Sequence, residues 1–122
     1  MERYFHVGIV VADLEAAQRH LTEVLGTEWG PIMATELPIR TGDGREAVVP
    51  NRICYSTAPP YLELIQEVPG TPWVCNEHSN LHHIGFFVGA LGAEADRLVA
   101  AGCPLEIMGG QGDGPPESCS YH

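Results

Sequence analysis

Sixteen residues beginning at His6, HVGIVVADLEAAQRHL, are echoed by HIGFFVGALGAEADRL beginning at His83. Six of the sixteen aligned positions are identical: His6/His83, Gly8/Gly85, Val11/Val88, Leu14/Leu91, Ala16/Ala93 and Leu21/Leu98. The identities fall where the local pattern also agrees, an apolar run, a break, then apolar residues at helical spacing. The chain therefore reads as an internal duplication. At 122 residues there is material for two small related halves sharing one domain, and little else.

Read in order, Tyr4 to Val11 is aromatic and β-branched and predicts a strand. Asp13 stands at a helix N-cap ahead of Leu14, Ala17, Leu21, Val24 and Leu25, and Gly26 is the stop. From Pro31 to Arg40 the chain runs extended, Thr41 to Gly44 (TGDG) is a turn, and Arg52 to Thr57 is a strand. Ala58 to Pro60 breaks it, and Tyr61 to Val68 resumes with alternating hydrophobicity. Residues 1–68 thus read β-α-β-β-β, and 69–80, opening PGTPW, read as a linker. The second module, 81–122, repeats a strand at Leu81 to Val88 and a helix at Leu91 to Ala101 with Gly102 as its stop. A strand at Pro104 to Met108, a glycine-rich loop at Gly109 to Pro116 and the opening of a strand at Ser118 to His122 follow. The expected class is α+β, two tandem βαβββ modules together making one domain, the second lacking its last strand.

Charge removes several functions. Sixteen acids against six bases, all arginine, leave a net charge of -10, so no basic face exists for nucleic acid or for an anionic membrane. No apolar run is long enough to span a bilayer, and MERYFHVG is not a secretory leader, which makes the cytoplasm the expected location. Cys54, Cys75, Cys103 and Cys119 lack metal or disulfide spacing and read as reduced thiols.

Alternation along the strands decides which side chains meet. His6, Gly8 and Val10 share one face, and Val7, Ile9 and Val11 take the face a following helix covers. In the copy, His83, Gly85 and Phe87 share a face while Ile84, Phe86 and Val88 take the helix side. In YLELIQ, Glu63 lies with Tyr61 and Ile65 opposite the helix, and Gln66 lies on the other side. A glutamate between two leucines is costly to bury unless paired or bound to a metal. Two histidines and a glutamate on the non-helix faces of their strands form a ligand set for a divalent cation. The alternative is that the histidines hydrogen-bond within the sheet while Glu63 pairs with Arg52 or Arg3.

These segments, with YLELIQEVPGTPW and HHIGFFVGALGAEADRLVAAGCPLE, resemble the vicinal oxygen chelate superfamily, whose members include glyoxalase I, methylmalonyl-CoA epimerase, extradiol dioxygenases and bleomycin-resistance binding proteins. The pattern is most similar to the glyoxalase I and epimerase members. The resemblance implies paired βαβββ modules whose curled mixed sheets enclose a cavity holding a divalent metal: zinc, cobalt, nickel, manganese or iron. It assigns His6 and His83 to the first-strand ligand positions of the two modules and Glu63 to the fourth-strand position of the first. His82 is then structural. The family's further carboxylate comes from the strand missing after SCSYH, so the sequence is expected to continue beyond His122; His122 as a substitute ligand is the weaker option.

The implied function is a metal-dependent isomerase, epimerase or lyase acting on a small carbonyl or thioester substrate through a metal-stabilised enolate, with Glu63 as both ligand and base. The alternatives are an iron-dependent extradiol dioxygenase and a non-catalytic small-molecule binder of the drug-resistance type. The implied partners are a small-molecule substrate and a second copy of the chain in a homodimer, with no nucleic acid and no membrane. The segments 34–51 and 109–116 are expected to rim the pocket.

Overall fold

The aromatic and β-branched run near the N-terminus forms strand β1 (Arg3–Val11), and Asp13 starts helix α1 (Leu14–Leu25). Asp13 is extended (φ -138°), and its carboxylate accepts a hydrogen bond from the Ala16 amide at 2.8 Å, satisfying one of the helix's orphan donors. Gly26 ends the helix in the left-handed region (φ 69°), its amide donating to the Thr22 carbonyl at 2.9 Å. The computed structural model describes residues 3–122, among which are two helices and seven strands in an α+β arrangement. They divide into two compact units: Arg3–Thr35 with Asn51–Phe87, and Glu36–Pro50 with Val88–His122.

In the first unit, β4 (Tyr61–Gln66) lies parallel to β1, with Ile9 opposite Leu64 and Gly8 opposite Glu63. Strand β5 (Leu81–Phe87) pairs antiparallel on the other side of β1. The end of β3 (Glu46–Tyr55) pairs antiparallel with β4, giving the mixed order β5-β1-β4-β3. The Gln66 amide clasps the turn between β1 and α1, accepting from the Leu14 amide at 2.9 Å and donating to the Ala12 carbonyl at 2.5 Å. Helix α1 covers Val11, Cys54 and Leu64 with Leu14, and Ile9, Ala17, Leu21, Trp29 and Ile32 pack around that cluster. Leu14 and Leu64 are fully buried, each stabilising the fold by roughly 2–3 kcal/mol. Alternation placed Ile9, Val11 and Leu64 on this side, and they are there.

The copy behaves differently. Ile84 and Phe86 were expected under a helix, yet they are 61% and 56% exposed. Strand β5 is an edge of the first unit, and α1 spends its apolar stripe on Ile9, Val11 and Leu64. The connecting residues 69–80 carry neither helix nor strand. They are tied down by bonds from the Val10 amide to the Asn80 carbonyl (3.0 Å) and from the Val68 amide to the Trp73 carbonyl (2.8 Å).

In the second unit, β2 (Met33–Thr41) and β3 form a hairpin about the expected TGDG turn, where the Thr41 amide donates to the Arg45 carbonyl at 2.9 Å. Strand β3 therefore begins at Glu46 and not at Arg52, because a hairpin partner continues the ladder through a polar stretch with weak strand propensity. Strand β6 (Ile107–Gly109) pairs with β2, and the two-residue β7 (Ser120–Tyr121) pairs with β6, in the order β3-β2-β6-β7. The strand expected from Pro104 is regular only from Ile107; proline cannot donate to a ladder. Ile39, Ile107 and Met108 are buried.

Helix α2 (Leu91–Ala100) follows β5 as α1 follows β1, with Leu91 and Leu14 each opening its helix. The cap differs. Ala90 has the extended backbone of an N-cap (φ -146°, ψ 96°), close to that of Asp13, but no side chain to bond the helix amides. Ala90→Asp is expected to raise stability by about 1 kcal/mol, read as a higher denaturant midpoint at unchanged slope.

Candidate metal centre

Strands β5, β1 and β4 lie side by side, and each carries one member of the group: His83, His6 and Glu63. His6 Nε2 lies 2.9 Å from His83 Nε2 and 2.9 Å from Glu63 Oε2, and His83 Nε2 lies 3.1 Å from the same oxygen. The three donor atoms thus form a nearly equilateral triangle. His6 and Glu63 are buried, with 8% and 5% exposure, and His83 is nearly so.

The repeated His-x-Gly step explains how two rings fit between adjacent strands. In the antiparallel register His6 faces Gly85 and Gly8 faces His83, so each histidine lies over the other copy's glycine. A Cβ on Gly8 would come within 2.1 Å of the His83 ring, and one on Gly85 within 2.2 Å of the His6 ring. The duplicated pair is therefore one reciprocal device: each copy supplies a histidine and the floor beneath its partner's histidine.

Side chains around the triangle hold it. The Tyr55 hydroxyl donates to Glu63 Oε1 at 2.8 Å, and Tyr55 and Glu63 are register partners in the β3–β4 pair. Reading the sequence missed Tyr55; the signal was available in the hairpin, since the strand before APP must bring an alternate residue opposite Glu63. Arg52 does not pair with Glu63. It bonds Glu15 on α1, with a second contact at 3.4 Å, so the expected arginine partner is spent elsewhere. A register shift between Tyr4 and His6 leaves Phe5 unpaired toward β5. Such a bulge re-aims a side chain. The Phe5 ring stacks on Phe87 at 4.3 Å and meets His6, Tyr55 and Tyr61 at 4.7, 5.2 and 5.8 Å, making an aromatic wall beside the triangle. Tyr61 belongs to that wall. His122 is exposed in the second unit, where its ring bonds the Cys103 carbonyl at 3.0 Å.

Burial pushes the Glu63 carboxyl up, but the His6 and His83 imidazoles beside it and the Tyr55 hydroxyl more than offset it, bringing it down to about 2 from 4.5. The folded value lies below the unfolded one, so the unfolded chain binds more protons between them and stability is lost as pH falls. In the metal-free protein, on the order of 3 kcal/mol is expected to disappear between about pH 4.5 and pH 2. Glu63→Gln should flatten that part of an acid-unfolding curve followed by circular dichroism.

The donor set fits a divalent ion. Two imidazole nitrogens and a carboxylate oxygen about 3 Å apart in a buried place need protons or a cation shared among them. His6, Glu63 and His83 would hold such an ion with two imidazoles and one carboxylate, and an ion so held would supply Lewis-acid stabilisation of charge on a bound oxygen. Zinc, iron, manganese, cobalt and nickel all suit imidazole with carboxylate.

A family model described as the Glyoxalase/Bleomycin resistance protein/Dioxygenase superfamily matches residues 5–116. The chain belongs to this superfamily. The matched span of the superfamily takes in His6, Glu63 and His83 together with Tyr55 and Phe5, and leaves His122 outside. Among curated proteins and among solved structures no match to the chain is found. Among the described residues no helix is long and apolar enough to cross a membrane.

Proposed function

We propose that the chain is a metal-dependent isomerase, epimerase or lyase acting on a small carbonyl or thioester substrate through an enolate, with His6, Glu63 and His83 holding the ion. The observation that carries this is the convergence of their donor atoms within 3.1 Å of one another at a largely buried site. An ion held there would supply Lewis-acid stabilisation to charge that develops on a substrate oxygen. The protein's own groups do the rest. Glu63 is the one carboxylate of the three, and its Oε1, turned from the histidines toward Tyr55, is the atom proposed to take the proton from carbon. The Tyr55 hydroxyl positions that oxygen, and the packed rings of Phe5, Tyr61 and Phe87 line one side.

A second reading, an iron-dependent extradiol dioxygenase, is supported by the composition of the set, two histidines and one carboxylate. Solvent deuterium separates the two. Incubating the metal-loaded protein in deuterium oxide with small 2-substituted acids and thioesters should label the carbon next to the carbonyl, and Glu63→Gln should not. Oxygen consumption with catechols and no labelling of any such compound would overturn the first reading in favour of the second.

The rest of the reading concerns organisation. Residues 1–68 and 81–122, with 69–80 between, are proposed as duplicated modules of descent. The compact units are drawn otherwise because β5 pairs directly onto β1. A cytoplasmic location and a homodimer complete the proposal, supported by the four free thiols and by the superfamily.

A further inference from the structure

Adjacent residues on a regular strand point to opposite faces, so their rings do not meet. His82 and His83 break that rule: their Nδ1 atoms lie 3.0 Å apart, with the rings perpendicular. The cause is a second register shift, in which Gly8 faces His83 and Ile9 faces Leu81, leaving His82 as the extra residue on β5. The other ring nitrogen of His82, Nε2, lies 2.8 Å from the Pro72 carbonyl.

The proton positions follow from what each partner can do. A carbonyl only accepts, so His82 Nε2 carries a hydrogen and, in the neutral ring, His82 Nδ1 carries a lone pair. That lone pair takes a hydrogen from His83 Nδ1. His83 is then held with Nε2 bare, and the hydrogen within the triangle lies on His6 Nε2, 2.9 Å from both His83 Nε2 and Glu63 Oε2, each of which accepts.

We propose that His82 is a positioning residue that fixes the tautomer and ring orientation of His83, with the Pro72 carbonyl as the anchor of the relay. The inference rests on the reading of His83 as a metal ligand. A ligating histidine whose far nitrogen donates to a fixed acceptor is oriented and made more basic. His6 has no such support: its Nδ1 is buried and lacks a hydrogen-bond partner among the described residues. The two ligand histidines, alike in sequence, are thus unlike in their surroundings. His83 is preset by the protein with Nε2 free, whereas His6 donates from Nε2 in the metal-free chain and would have to give up that hydrogen to ligate an ion.

The test uses the whole chain, first without metal at pH 8 by nitrogen-15 NMR of the histidine rings, and then by titration with zinc. The wild type should show His83 as the Nδ1–H tautomer. His82→Leu should lose that preference and bind zinc about 10–100-fold more weakly. His82→Asn offers an amide oxygen close to the place of Nδ1 and should restore both; it also serves if the leucine variant folds poorly. A wild-type His83 protonated on Nε2, or variants whose tautomer and zinc affinity are unchanged, would overturn the role of His82. Failure of the wild type to bind zinc, cobalt, nickel, manganese or iron, with the Nδ1–H tautomer intact, would instead overturn the metal reading.

Discussion

Glu63→Gln and His6→Ala are each expected to lower affinity for a divalent ion by more than about 100-fold and to abolish turnover. The effect exceeds the 10–100-fold typical of a group that only supports a ligand, because a donor and, for Glu63, the site's anionic charge are removed. The glutamine variant is the cleaner of the two. Its amide has the size of the carboxylate, and its oxygen can still accept from Tyr55, whose hydroxyl bonds Glu63 Oε1 at 2.8 Å. Fold and core should survive, and metal content measured by mass spectrometry should fall to background while thermal unfolding stays cooperative. Metal retained in full by both variants would remove the proposed ligand set.

Gly8→Ala and Gly85→Ala are expected to lose nearly as much, although neither residue offers a donor atom. The added methyl would fall 2.1–2.2 Å from the ring of His83 or His6, far inside contact distance. Each ring is the mobile end of its side chain, so the ring swings away and the strand pairing remains. The expected signature is about 10–100-fold weaker metal binding with little change in unfolding midpoint. An alanine at either position that binds metal like the wild type would show that the rings do not lie over the glycines. A large loss of stability in both variants would show that the glycines serve strand packing and not the histidines.

The glycine result bears on how far the site was legible beforehand. Alternation from His6, Glu63 and His83 placed all three side chains on one face, and the register of β5, β1 and β4 brings them together there. The α1 side was equally readable, from Asp13 at the cap to Leu64 in the core. What alternation could not show is where it fails. Bulges at Phe5 and His82 turn both side chains toward His6 and His83, and a bulge leaves no mark in a hydrophobic pattern. Tyr55 was hidden for another reason: its partnership with Glu63 depends on hairpin register, which the APP loop sets. The cover over Ile84 and Phe86 was misjudged because the copy was assumed to bury the same face as the original. An edge strand has no such obligation.

The reciprocal arrangement also says why a short chain keeps both copies of His-x-Gly. One copy alone has a ring with no floor and a floor with no ring. Together, in antiparallel register, they supply two imidazoles from opposite directions, and β4 adds the carboxylate alongside. Changes that keep the histidines but disturb this register should weaken the site as surely as removing a ligand.

The most direct measurement is a titration of the wild-type, metal-free protein with cobalt(II), followed by visible absorption and then X-ray absorption at the cobalt edge. Saturation at one ion per chain, with two imidazole nitrogens and a carboxylate oxygen in its coordination shell, is the expected result. Binding that leaves the histidines out of that shell, or no stoichiometric binding at all, would contradict the convergence of His6, Glu63 and His83 on a common ion.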